Sequence, residues 1–267
     1  MPEPEEAIEI RGRSVRLFRS SQDGAASIDR QVSLRDFLLE IAASTPQRLL
    51  QQIPMLPPGA RWATVRGPSL VIAVEHPPQA RWVGWSEKSL DEPGSYRHSN
   101  LAFPYTVYLL LFHRGSFEEM RLYYRNAPLA SEEDALSMPN LWNISASESP
   151  LALCRVCLRG RPPFEDLTVA GQAQTAIEFF WSAGFNLDIE SNCFRRAAAL
   201  DGRIGTLDSW ETATAADPLF PLGVQWEGTG LSLRKAGEHL LDWQGVARPL
   251  EDVSDLADLL YRLDELA

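Results

Sequence analysis

Cys154 and Cys157 are two of the three cysteines in this chain, and only two residues separate them. Leu153 precedes the pair, and Leu158, Arg159 and Gly160 follow it. An isolated thiol is usually an inert small hydrophobe in a core. A Cys-x-x-Cys pair beside basic residues admits three chemistries: a redox dithiol, half of a zinc site, or one nucleophilic thiol with an incidental neighbour. A redox dithiol of the thioredoxin kind needs its first cysteine at a helix N-terminus, where the helix dipole favours the thiolate. Leu151 to Leu158 instead alternates as a strand does. Zinc takes four ligands, commonly as two spaced pairs. Beyond this pair only Cys193 and the scattered His76, His98, His113 and His239 remain. No bound metal is therefore expected at Cys154 and Cys157. A Cys-His or Ser-His-Asp hydrolase stays open, because such partners meet in space rather than in sequence. Inert packing in a strand stays open as well.

The elements that must position these thiols are legible in part. Ile8 to Arg11 and Ser14 to Arg19 alternate apolar and polar across Gly12, which predicts an opening β-hairpin. A polar loop is expected next. Ser33 with Asp36 three positions later then resembles a capping box. Leu34, Phe37, Leu38, Ile41 and Ala42 follow at helical spacing, giving an amphipathic helix that ends near Pro46. From Arg61 to Arg125 the pattern predicts an antiparallel meander. Its strands lie at Trp62–Val65, Leu70–Val74, Arg81–Trp85, Tyr105–His113 and Met120–Arg125, and His98 falls in a polar loop. Tyr105 to Phe112 is too continuously apolar for a half-exposed strand, so it should lie inside a sheet of about four strands, covered on both faces. Gln172 to Trp181 reads as a helix with Ala173, Ala176, Ile177 and Phe180 on one face. Ser254 caps a last helix bearing Leu256, Leu259, Leu260 and Leu263. Strands in a run with helices segregated around them imply an α+β layer. Residues 1–60 read as a hairpin-and-helix extension, 61–245 as the core and 246–267 as a terminal helix.

Composition narrows the class. The chain has 267 residues, is 45% hydrophobic and 23% charged, and carries a net charge of −11. Phosphate contacts need clustered Lys and Arg, so a nucleic-acid partner is not expected. Lys88 and Lys235 are the only lysines, and the acidic runs, such as Glu132 to Asp134, read as solvated surface. No apolar run approaches the roughly 18 residues that a membrane span needs. Met1 to Glu6 is acidic where a signal peptide is basic. A cytoplasmic protein with no membrane partner is expected. There is no GxGxxG and no P-loop, so no nucleotide cofactor is expected.

The order of features resembles a known family. Met138-Pro139-Asn140-Leu141-Trp142 followed by Arg155-Val156-Cys157-Leu158 is similar to the active-site region of ubiquitin-conjugating enzymes. Those enzymes carry His-Pro-Asn, a short loop, and a cysteine followed by Leu. The closer likeness is to the prokaryotic relatives typified by PRTRC system protein B, with a Gly-Arg-Val-Cys-Leu-Gly segment. Glu178 to Phe185 resembles the Phe-Phe stretch that follows the cysteine there, and the likeness spans residues 8 to 245. The resemblance implies a ubiquitin-conjugating-like fold and a carrier that accepts a ubiquitin-like modifier as a thioester on Cys157. It also implies Asn140 as the oxyanion donor, an activating enzyme and a target as partners, and no cofactor or metal. Met138 replaces the family's His, and seventeen positions separate Asn140 from Cys157, with Asn143 to Leu153 read as a Ser-rich surface excursion. Cys154 is assigned to packing on the opposite strand face. The alternatives are an inactive adaptor of the same fold and an unrelated cysteine hydrolase.

Overall fold

A computed structural model describes residues 6–11, 14–20, 26–33, 36–37, 54–86, 96–147, 152–158, 160, 162–187, 189 and 193–247. The chain divides into two compact units, Leu50–Trp243 and a smaller one formed by Met1–Leu49 with Gln244–Ala267.

In the smaller unit the expected hairpin is present as β1 (Glu6–Arg11) and β2 (Ser14–Ser20). The polar loop expected after it is a third antiparallel strand, β3 (Ala26–Ser33), paired with β2 along its length. Its Asp29, Arg30 and Gln31 break the period-two signal, so backbone pairing rather than side-chain pattern defines it. Ser33 starts the next element as read: its Oγ accepts from the Asp36 amide at 3.0 Å and donates to Asp36 Oδ2 at 2.6 Å. Leu34, Leu38, Ile41 and Ala42 of that helix, and the whole helix after Ser254, lie outside the described residues.

The larger unit is α+β. Its strands are β4 (Ala60–Arg66), β5 (Ser69–His76), β6 (Gln79–Trp85), β7 (Arg97–Phe103), β8 (Tyr105–His113), β9 (Ser116–Arg125), β10 (Ala135–Ser137) and β11 (Gly228–Ser232). The helices are α1 (Val169–Ser182), α2 (Cys193–Leu200), α3 (Leu207–Ala216) and α4 (Leu233–Ala247), of which residues 244–247 belong to the smaller unit. Six strands form one antiparallel sheet in the order β11-β10-β9-β8-β5-β4, and β6 pairs with β7 as a separate ribbon. The sheet exceeds the expected four strands because β10 and β11 are too short to carry a periodicity. β7 was also unforeseen, and it takes in His98, which stands opposite Gly84 on β6. Its first half is polar and gives no strand signal, but its backbone is claimed by β6 and by α3. Ala102 donates to Thr214 Oγ1 at 2.9 Å and accepts from Trp210 Nε1 at 2.9 Å.

β8 lies between β5 and β9, and Val107 to Phe112 are fully buried, as their unbroken apolar run predicts. On one face Tyr108 is met by α1, where Trp181 Nε1 donates to the Tyr108 hydroxyl at 2.6 Å. On the other, Leu109 shares a face with Ala73 and Trp62, and a Cβ at Gly237 of α4 would lie 2.5 Å from the Trp62 ring. Each apolar side chain buried this way is worth roughly 1.5–3 kcal/mol.

α1 follows its predicted face, with Ala173, Ala176, Ile177 and Phe180 buried, and Thr168 caps it by accepting from the Gly171 amide. Gln172 is buried too, and its amide clamps the β8–β9 turn. It accepts from the Phe117 amide at 2.8 Å and donates to the Gly115 carbonyl at 3.0 Å. Asp134 fixes the entry to β10: its Oδ2 accepts from the amides of Ala130 at 2.7 Å and Ser131 at 3.1 Å, and from Arg125. These donors, the Ala130 amide first, hold its carboxyl down to about 2. No helix among the described residues is long and apolar enough to cross a membrane.

Candidate functional site

β10 covers only the end of β9, pairing at Ser137 with Tyr124. The rest of that β9 edge is taken by the cysteine segment. Leu122 donates to the Cys154 carbonyl at 3.1 Å, and Val156 donates to the Met120 carbonyl at 2.9 Å. The far side of the strip pairs with residues 143–145. Cys154 donates to Ser145, Ser145 donates to Arg155, and Cys157 donates to the Asn143 carbonyl at 2.8 Å. Cys154 and Arg155 together oppose Ser145, which makes a β-bulge with Cys154 in the left-handed region at φ 60°.

The two thiols differ accordingly. Cys154 is fully buried, and burial pushes its thiol well above the ordinary range, so it stays protonated and unreactive. Cys157 is partly exposed at the end of the strip, and both cysteines are free thiols. The packing role read for Cys154 and the accessible position read for Cys157 match this arrangement. Neither cysteine stands at a helix N-terminus. Among the described residues no three His, Cys, Asp or Glu side chains converge as metal ligands would.

Met138 to Ile144 is a run of seven residues without helix or strand, and every one is buried. Irregular backbone normally stays at the surface because its polar groups need water. This loop is held by specific bonds instead: Met138 donates to the Glu227 carbonyl at 2.7 Å, and Asn143 binds the turn after α1. Asn143 Nδ2 donates to the Gly184 carbonyl at 3.1 Å, and Asn143 Oδ1 accepts from the Asn186 amide at 3.4 Å. Asn143 is left-handed at φ 58°, a conformation that Asn tolerates better than most residues. Its carbonyl anchors Cys157, so Asn143 positions the thiol.

Asn140 lies in the same loop at 2% exposure, and neither its Oδ1 nor its Nδ2 has a hydrogen-bond partner among the described residues. A buried amide without partners costs about 1–3 kcal/mol per group, which makes it the most anomalous polar side chain near the strip. No hydrogen bond joins Asn140 to Cys157; the asparagine bonded to Cys157 is Asn143. The expected surface excursion is also corrected at both ends. Asn143, Ile144, Leu153 and Cys154 are core residues, because the two ends of that excursion pair with each other. Glu148 to Leu151 lie outside the described residues.

Behind the strip, on β9, sits a charged cluster that sequence alternation does not reveal. Arg121 is completely buried and its Nε donates to Glu119 Oε1 at 3.0 Å. Arg155 of the strip reaches the other carboxylate oxygen at 3.3 Å. Arg121 looks like an outward strand position, yet it is wholly buried where the cysteine strip pairs with the edge of β9.

The histidines take structural positions. Ser69 Oγ and His113 Nδ1 lie 3.1 Å apart as directly opposite residues of β5 and β8, where both side chains are buried. Arg81 Nη2 donates to His76 Nδ1 at 2.7 Å, which requires a neutral imidazole. Burial, then the Arg81 charge, lowers His76 to about 4 from its ordinary 6.5. The unfolded chain therefore binds the extra proton first as pH falls. The His76 contribution is complete above pH 6.5 and is lost as pH drops towards 4. Urea midpoints measured across that window should fall more steeply for the native chain than for His76→Gln, and parallel profiles would contradict the assignment. Phe180 and Trp181 belong to the core: their rings pack on Phe185 at centroid distances of 5.2 and 6.0 Å.

No protein-family model, no curated protein and no solved structure matches this chain.

Proposed function

We propose that this chain is a ubiquitin-conjugating-like carrier that holds a ubiquitin-like modifier as a thioester on Cys157 and passes it to a target. The observation that carries the reading is the contrast between two thiols of one backbone-pinned strip: Cys157 is partly exposed and Cys154 is buried. The antiparallel sheet that leads through a buried Pro139-Asn140 loop to this strip, with α1 to α4 around it, supports a ubiquitin-conjugating-like fold.

In the first step the Cys157 sulfur attacks the thioester carbonyl on the activating enzyme. A new C–S bond forms and the activating enzyme's thiol leaves with the proton. In the second, a target amine attacks the Cys157 thioester. The amide forms and the Cys157 thiol is regenerated. Both tetrahedral intermediates carry an oxyanion that needs a donor, and the unpartnered Asn140 Nδ2 is the candidate for it. The chain supplies the thiol and the donor, with a modifier protein, an activating enzyme and a target as partners, in the cytoplasm, and without a cofactor. The burial of Asn140 favours a second reading, an adaptor of the same fold whose loop no longer opens to the thiol.

Two measurements test the carrier reading. Brief iodoacetamide treatment of the native protein should label Cys157 and spare Cys154 and Cys193, both of which are buried. Incubation with a ubiquitin-like modifier, its activating enzyme and ATP should give an adduct that thiol reductants remove. Cys157→Ser should yield a reductant-resistant ester or no adduct, and Cys154→Ala should still charge. An adduct that survives in Cys157→Ala would end the carrier reading, and labelling of Cys157 with no charging would favour the adaptor.

A further inference from the structure

An unguarded edge strand is a template for another chain, so folded proteins blunt or cover their edges. In the larger unit β7 directs its amides to α3, where Asn100 donates to Glu211 Oε1 at 3.2 Å and Ala102 to Thr214 Oγ1 at 2.9 Å. The end of β6 is closed by Phe185, which donates to the Gly84 carbonyl and accepts from the Ser86 amide. The cysteine strip takes the part of β9 that β10 leaves open. β11 ends the sheet on that side, and it is short, glycine-containing and shifted in register. β4 ends the sheet on the other side and has none of these devices. Its seven residues, Ala-Arg-Trp-Ala-Thr-Val-Arg, include no Pro, Gly or Lys. The one register shift lies at its entry, and from Trp62 to Arg66 it pairs with β5 without a break. No β4 residue is buried, whereas every β5 residue except His76 is, and Val65 is 39% exposed. Among the described residues no backbone hydrogen bond reaches Arg61 to Arg66 from the outer side.

Alternate residues of an antiparallel pair turn both backbone groups to the partner, and those between turn theirs away. Arg66 and Ser69 close the hairpin across the turn at Gly67 and Pro68. Counting back from Arg66, Ala63 and Val65 direct their amides and carbonyls outward. Charge then selects the occupant. Copies of a chain with net charge −11 repel one another at a distance. β4 itself carries arginines and no acid, and Glu75 and Asp242 balance Arg61 and Arg66, so this edge is locally neutral. It is also self-complementary. With a two-fold axis at Ala63, Arg61 stands opposite Val65 of the second copy and Trp62 opposite Thr64 of the second copy. No like charges meet, and a Trp–Thr pair is of the aromatic and β-branched kind that stabilises sheets. We propose that β4 pairs antiparallel with β4 of a second copy, joining their sheets into one. The cysteine strip lies beyond β9, towards the opposite rim, so the pairing is independent of the chemistry at Cys157.

Sedimentation velocity of the full chain from about 1 to 100 μM should show a mass rising from one chain towards two. Val65→Lys sets a lysine opposite Arg61 of the second copy, and the two-fold axis repeats that pair. Its dimer should be about tenfold weaker than the native one. Val65→Glu sets a carboxylate opposite the same arginine, and its dimer should be at least as tight as the native one. Position 65 is exposed, so both variants should keep the native thermal midpoint at the lowest concentration. A native chain that stays monomeric throughout would overturn the proposal and leave the edge to a strand from another protein. A native dimer that Val65→Lys does not weaken would overturn it in favour of another surface. Equal dimer constants for the lysine and glutamate variants would also overturn it, because position 65 would then face no arginine.

Discussion

Arg121→Ala is expected to lower folding stability by about 3–5 kcal/mol, among the largest effects of any single substitution in the sheet. Arg121 stands opposite Arg155 of the cysteine strip and donates to Glu119 Oε1 at 3.0 Å, with both side chains nearly or wholly inaccessible. Removing the cation leaves a buried carboxylate whose remaining ionic partner among the described residues, Arg155, is half exposed. Solvent screens that remaining pair, so it offsets little of the loss. The cost belongs to the stranded charge and not to the pair as such. The double variant Glu119→Gln with Arg121→Met should therefore lose much less than the sum of its singles, because neither partner is left ionised and alone. Urea denaturation of the four proteins closes the cycle. Additive losses, or an Arg121→Ala cost below about 1 kcal/mol, would mean that water reaches Glu119.

Asn143→Ala should cost about 2–4 kcal/mol and loosen the thiol at the same time. Two terms add. Alanine at φ 58° is strained where asparagine is tolerated, and the two bonds from the side chain to Gly184 and Asn186 disappear in a buried setting. Asn143→Gly separates them, since glycine accepts the left-handed backbone but makes neither bond, and it should be the milder change. Because the Asn143 carbonyl holds the Cys157 amide at 2.8 Å, both variants should alkylate faster at Cys157 than the native chain. Unchanged alkylation together with unchanged stability would remove Asn143 from any positioning role.

What the sequence determined by itself is what local periodicity encodes. The unbroken apolar run from Tyr105 to Phe112 specified a strand covered on both faces, and the structure places it between β5 and β9. The spacing of Ala173, Ala176, Ile177 and Phe180 specified the inner face of α1, and the Ser33–Asp36 pair specified a helix start. These features depend on neighbours within a few residues, so the chain states them directly. Edge pairing and burial of charge do not. β3, β7, β10 and β11 are polar, short or glycine-containing, and they become strands only because a distant backbone offers them hydrogen bonds. Arg121 and Glu119 alternate as solvent-facing residues would, yet both are buried in the fold. The same long-range pairing separates the two thiols. A bulge at Cys154 turns one cysteine into the core, and a carbonyl fourteen residues upstream fixes the other at the surface. Spacing could bring Cys154 and Cys157 to notice. Only tertiary contacts, which join residues far apart in the chain, decided which of them can react.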